Sequence, residues 1–112
     1  MAEEFSTEVN ATDAATVIHV RGEISLATAG RLRDVIEPHM GPNQTIILDL
    51  SEVVFMDSAV LQVLVQARGR LTQNGGSLIL RNPSSAAHRV LTVSGANHLL
   101  EIDARDHPPD TN

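Results

Sequence analysis

The chain has 112 residues, a formal net charge of −6 and no cysteine. That length suits a single domain with one modest core and leaves little room for a large catalytic cleft with a lid. The missing cysteines exclude disulfides, thiolate catalysis and cysteine-ligated zinc, and the basic residues, eight arginines scattered singly with no lysine, lack the concentrated face of a nucleic-acid binder.

Phe5 to Val9 alternates weakly, as an edge strand would, and Thr16 to Arg21 reads as a better strand stopped by Gly22, with a hairpin around Asn10 to Ala14 joining them. Ser25 is placed to cap a helix from about Leu26 to the Pro38 region. Leu26, Ala29, Leu32 and Ile36 would face the core, and Pro38, lacking an amide donor, should end or bend the helix. After the turn residues Gly41-Pro42-Asn43, the unbroken run Thr45-Ile46-Ile47-Leu48 is expected to be a central strand covered on both faces, running into a short acidic loop. From Asp57 the period changes to three and four, with Leu61, Leu64, Val65, Arg68 and Leu71 as the buried stripe of a helix. Asp57 is its natural N-cap, and Asn74-Gly75-Gly76 its stop.

Ser77 to Arg81 is a third good strand. Asn82-Pro83-Ser84 then turns into a helix through about Ser94 that uses Ala87, Val90 and Leu91 as its stripe and stops at Gly95. Leu99-Leu100-Glu101-Ile102 is a candidate last short strand, and the polar, proline-containing stretch 106–112 reads as a mobile tail. The result is a single α/β domain over 1–112 with its core at about 5–105. Its order is β-β-α-β-α-β-α, a mixed sheet with helices and right-handed crossovers.

This layout puts the Ser58 hydroxyl on the first turn of a helix at the rim of the sheet, beside free backbone donors. Taken alone, Asp57-Ser58 is explained as a capped helix start. A serine hydrolase would need a base beside Ser58, yet no histidine or lysine is placed by motif to supply one, and the Gly-x-Ser-x-Gly elbow is absent. His19, His39, His88, His98 and His107 form no i, i+4 pair and have no companion carboxylate at ligand spacing, so no metal site is expected. Gly75-Gly76 precedes a strand, whereas phosphate-cradling loops follow one, so no phosphate cofactor is expected there. Ser84-Ser85 is a second possible modification pair, with Ser84 well explained as a cap. No apolar run approaches the ~20 residues of a bilayer span, and the acidic start Met1-Ala2-Glu3-Glu4 is unlike a secretory signal. A cytoplasmic protein without membrane insertion is expected.

The string LDLSEVVFMDSAVL, Leu48 to Leu61, resembles the signature of the STAS domain as it occurs in anti-sigma factor antagonists: Leu-Asp-Leu-Ser, then Phe-hydrophobic-Asp-Ser-Ser-Gly-Leu. Gly22-Glu23-Ile24-Ser25-Leu26-Ala27-Thr28-Ala29 is similar to the family's first block, Gly-Glu-hydrophobic-Asp followed by a run rich in Thr and Ala. Both blocks sit at the family's separation, and the resemblance covers about Phe5 to Arg105. It implies a binding protein without catalysis of its own. Its partner would be an anti-sigma factor with a histidine-kinase-like ATPase fold, whose capture frees a sigma factor. Phosphorylation of the serine corresponding to Ser58 would end that binding, and a serine phosphatase would reset it.

Carried over residue by residue, the partner surface is Ser25, Asp57, Ser58, Ala59, Val60 and Leu61, with Leu61 as the packed anchor. Ser25 stands where the family has Asp, and Ala59 and Val60 where it has Ser and Gly. Ala59 leaves Ser58 as the single acceptor in the motif, while Val60 is expected to add β-branched bulk beside Ser58. Two alternatives keep other readings open: a STAS subunit of a transporter or stress-signalling assembly that binds through the same helix face without regulated phosphorylation, and a small hydrolase using Ser58.

Overall fold

A computed structural model describes residues 4–104 of the chain, so the tail expected at 106–112, with His107, lies outside the described residues. In chain order the elements are β1 (Ser6–Ala11), β2 (Thr16–Ile24), α1 (Leu26–Ile36), β3 (Thr45–Met56), α2 (Ala59–Gln73), β4 (Ser77–Arg81), α3 (Ser85–Val93) and β5 (Glu101–Asp103). The five strands form one sheet in the order β1-β2-β3-β4-β5. β1 runs antiparallel to β2, and every other neighbouring pair is parallel. This is the mixed α/β sheet read from the sequence, closed by a last strand that begins at Glu101 because Leu99 and Leu100 follow a 3-10 turn over Ala96–His98.

Side chains alternate across a strand, so register decides which residues meet the helices. Ile18, Leu48, Leu80 and Ile102 lie side by side across the sheet. That row joins Ala29, Leu32 and Ile36 of α1, Leu64 and Leu71 of α2, and Ala87 and Leu91 of α3 in one aliphatic core. Among the described residues no helix covers the other face, which corrects the expectation of a β3 covered on both sides. Ile47 lies there between its sheet neighbours Val17 and Ile79, so an unbroken apolar run here reflects a strand-to-strand stripe rather than a second layer of helices among the described residues. One register step on, Glu8, His19, Asp49, Arg81 and Asp103 form a row on that face in which the acidic residues alternate with a histidine and an arginine.

The two central strands are longer than their sequence suggests. β2 does not stop at Gly22, and the predicted acidic loop is a continuation of β3: Arg21 lies opposite Glu52, Gly22 opposite Val53, and Ile24 opposite Met56. The register slips on both sides of this segment, with the extra residue in β3 each time. Gly22 takes φ +86°, a backbone conformation costly for a residue with a Cβ. Such bulges sharpen strand twist and destroy the period-two pattern that marks a strand, which is why Ser51 to Met56 reads as a loop.

Two helix faces also differ from expectation. Leu26 is 75% exposed, because side chains lean toward the helix N-terminus and that of the first residue projects off the end. In α2 the buried residues are Val60, Val63, Leu64, Ala67 and Leu71. Leu61 and Val65 pack half-buried at the margin and Arg68 is exposed. The apolar arc of α2 is wide because it packs on both the sheet and α1, and spacing alone does not locate the centre of a wide arc.

Candidate functional site

Ile24 and Met56 pair as the last residues of adjacent parallel strands. The chain leaves both strands at the same edge, and the two sequence blocks, eighteen residues apart in the chain, meet there. Open α/β sheets place their working residues at this carboxyl edge. The Asp57 N–H donates to the Ile24 carbonyl at 3.1 Å, which pins the start of α2 to the end of β2.

The Asp57 carboxylate then supports two helices. Its Oδ1 accepts the Ala59 N–H at 2.8 Å and its Oδ2 accepts the Leu26 N–H at 3.2 Å. The first bond meets an amide of the first turn of α2 as expected, but from one position earlier, because the N-cap residue of α2 is Ser58 and not Asp57. The second had no signal in the sequence, because it joins positions brought together only by the pairing of β2 with β3. Ser25, as expected, stands at the N-cap of α1, where its N–H donates to Thr28 Oγ1 at 2.9 Å. A carboxylate at the starts of two helices also offsets the partial positive charge of both ends.

Ser58 is exposed, in helical conformation, and its side chain makes no capping bond. With Asp57 doing the capping, the Ser58 hydroxyl has no hydrogen-bond partner among the described residues. Ser25, Asp57, Ala59 and Leu61 are half-buried. Val60 is fully buried, at 0% exposure, in the core beneath the helix. The expectation that Val60 belongs to a partner surface, adding bulk beside Ser58, is therefore corrected: the residue two positions after Ser58 turns about 200° around a helix of 3.6 residues per turn, away from the hydroxyl and into the sheet.

The surroundings of Ser58 include residues that the sequence reading missed. A hollow of about 260 Å³ is lined by Ser58, Arg89, Val90, Val93 and Ser94. Ser94 also lines a second hollow, of about 370 Å³, between α2 and the turn after α3, bordered by Leu61, Val65, Ala96 and Leu99. Val93 is 81% exposed, and Leu26, Val54, Phe55 and Leu99 are exposed too. Val93 was discoverable, as an apolar residue off the Ala87–Leu91 stripe of its own helix. The strand end at Val54 and Phe55 was hidden by the bulges.

The comparisons with known proteins agree with this geometry. Residues 6–107 match the STAS domain. The chain belongs to the STAS domain family. Among STAS relatives, an anti-sigma-B factor antagonist of Listeria monocytogenes is 33% identical over 86 residues, covering 76% of this chain and 75% of that protein. The anti-sigma-B factor antagonist of Bacillus subtilis is 30% identical over 88 residues, covering 79% and 81%. Solved STAS folds superpose closely. An anti-sigma factor antagonist from Mycobacterium paratuberculosis gives a TM-score of 0.76 at 25% identity, covering 92% of this chain and 88% of that one. The antagonist SpoIIAA in its unphosphorylated form gives 0.73 at 26% identity, covering 92% and 90%.

Among the described residues, no group of three or more histidines and carboxylates stands where it could hold a metal ion, and no helix is long and apolar enough to cross a membrane.

Proposed function

We propose that this chain is an anti-sigma factor antagonist. It acts in the cytoplasm by binding an anti-sigma factor of serine-kinase type, through the Ser58 end of α2 and the adjoining hollow, and is switched off by phosphorylation of Ser58. The observation that carries the reading is the state of that one hydroxyl: exposed, without a hydrogen-bond partner among the described residues, and held on a frame that Asp57 builds without its help. The names of the relatives support the partner class.

The reaction is transfer of the γ-phosphoryl group of ATP to Ser58 Oγ, with ADP as the leaving group and the hydroxyl proton lost. The kinase supplies the catalysis, and a serine phosphatase reverses the step by hydrolysis. A phosphoserine adds about −1.5 to −2 charge, which the positive end of α2 accommodates, so the fold survives the change. A partner surface packed over Leu26, Phe55 and Val93, all exposed, meets the same charge at the cost of desolvating it. Loss of a few kcal/mol there is a hundredfold or more in affinity.

Incubation with the kinase and ATP, followed by mass spectrometry, should find phosphate on Ser58. Binding of the anti-sigma factor should survive Ser58→Ala and fall about a hundredfold or more in Ser58→Glu. Phosphate mainly on Ser25, Ser84 or Ser85, or equal affinity of all three proteins, overturns the proposal.

A further inference from the structure

The arginines of this chain have distinct employments. Arg21 donates to Glu52 at 2.8 Å and Glu8 at 3.4 Å, Arg70 pairs with Glu37 at 2.7 Å, and Arg31 lies over the Phe5 ring. Arg33, Arg68, Arg81 and Arg89 have no such tie among the described residues, and of these Arg89 alone lines the hollow beside Ser58. Among the described residues it faces no carboxylate within ion-pair distance and stacks on no ring. It is exposed on α3, and it lines the same hollow as Ser58. A long cationic side chain without an anionic partner therefore shares a concavity with the hydroxyl that carries the proposed switch, and valines form much of its wall.

We propose that Arg89 is the group that receives the phosphate on Ser58, drawing it across the mouth of the Val90–Val93 hollow as an intramolecular guanidinium–phosphoserine pair. The inference rests on the reading of Ser58 as the phosphorylated residue. A guanidinium presents two parallel N–H donors that match two phosphate oxygens, a geometry that lysine cannot reproduce. The pair covers the apolar wall that an unphosphorylated protein leaves open. Phosphorylation then does two things with one charge: it repels a partner at Ser58, and it closes the surface next to it. Arg89 is a positioning residue for the modified state.

The second ionisation of the phosphoserine reports the pair. The positive end of α2 and the adjacent Asp57 carboxylate act on that ionisation in every variant, so the difference between wild type and Arg89→Gln isolates the guanidinium. With phosphoserine installed at position 58 by nonsense suppression, the ³¹P titration midpoint in wild type should lie about half a unit below that of Arg89→Gln, a modest shift because the site is exposed to solvent. Arg89→Lys should fall between them, and raising the salt to about 1 M should shrink the difference. Coincident midpoints in wild type and Arg89→Gln overturn the proposal. So does an Arg89 Nε–H resonance that does not move on phosphorylation of wild type, a measurement that needs no variant to fold. A kinase that fails to modify Ser58 would instead overturn the reading of the switch, because installed phosphoserine reads the Arg89 pair without it.

Discussion

The two ends of α2 are held by opposite means. At the N-terminal end a side chain does the work: Asp57 binds the first amides of α1 and α2, and the neighbouring Ser58 is left unbonded. At the C-terminal end the backbone does it. Gly75 takes φ +82°, the Gly76 N–H donates to the Leu71 carbonyl at 2.7 Å, and Ser77 N–H donates to the Gln44 carbonyl at 3.0 Å. A Cβ on Gly76 would overlap that same Gln44 carbonyl. The difference separates support from display. An end closed by main chain has no position to spare, whereas an end closed by one carboxylate leaves the next residue free to change its charge.

Substitutions at the two ends can break this contrast. Gly76→Ala should have the largest effect, with chain and carbonyl forced apart and about 2–4 kcal/mol lost in chemical denaturation. Val60→Ala, which empties a core site beneath the displayed serine, should cost about 2 kcal/mol by the same measurement; a cost near zero would return Val60 to the surface. Asp57→Ala should cost about 1–2 kcal/mol, since it removes the cap of one helix and a bond to a second. Amide exchange should then quicken at both Leu26 and Ala59, and quickening at Ala59 alone would reduce Asp57 to an ordinary cap. Ser58→Ala should change stability by no more than about 0.5 kcal/mol. A larger loss would mean that Ser58 supports the helix after all, and the separation of roles would fail.

What could be read from the sequence follows the same division between local and distant causes. β4 and the cap at Ser84 are legible because a short aliphatic alternation sits between Gly76 and Asn82-Pro83, signals confined to neighbouring residues; Ser84 Oγ accepts the Ala87 N–H at 3.2 Å as such a cap should. The far half of β3 was illegible, because its bulged pairing with β2 spans some thirty residues and leaves its burial with no period of two, whereas β2 keeps its alternation through Ile24 and was cut short only by reading Gly22 as a stop. Asp57 could be identified as a cap and Ser58 as the displayed hydroxyl. The bond to Leu26, the inward turn of Val60 and the hollow shared with Arg89 all depend on how helices seat on the sheet, which no local pattern records.

The strand order has a consequence for how this chain comes to be folded. Because the sheet runs β1-β2-β3-β4-β5, each strand bonds to the one made just before it, and no strand waits for a distant segment to be inserted beside it. Contacts between successive elements close short loops and favour fast folding. During synthesis the sheet can grow outward from the β1–β2 hairpin, one crossover at a time, with β3 docking as soon as α1 has emerged. The Asp57 bond to Leu26 then acts as a latch on the first completed crossover, since it can form only when β3 has paired along its whole length with β2.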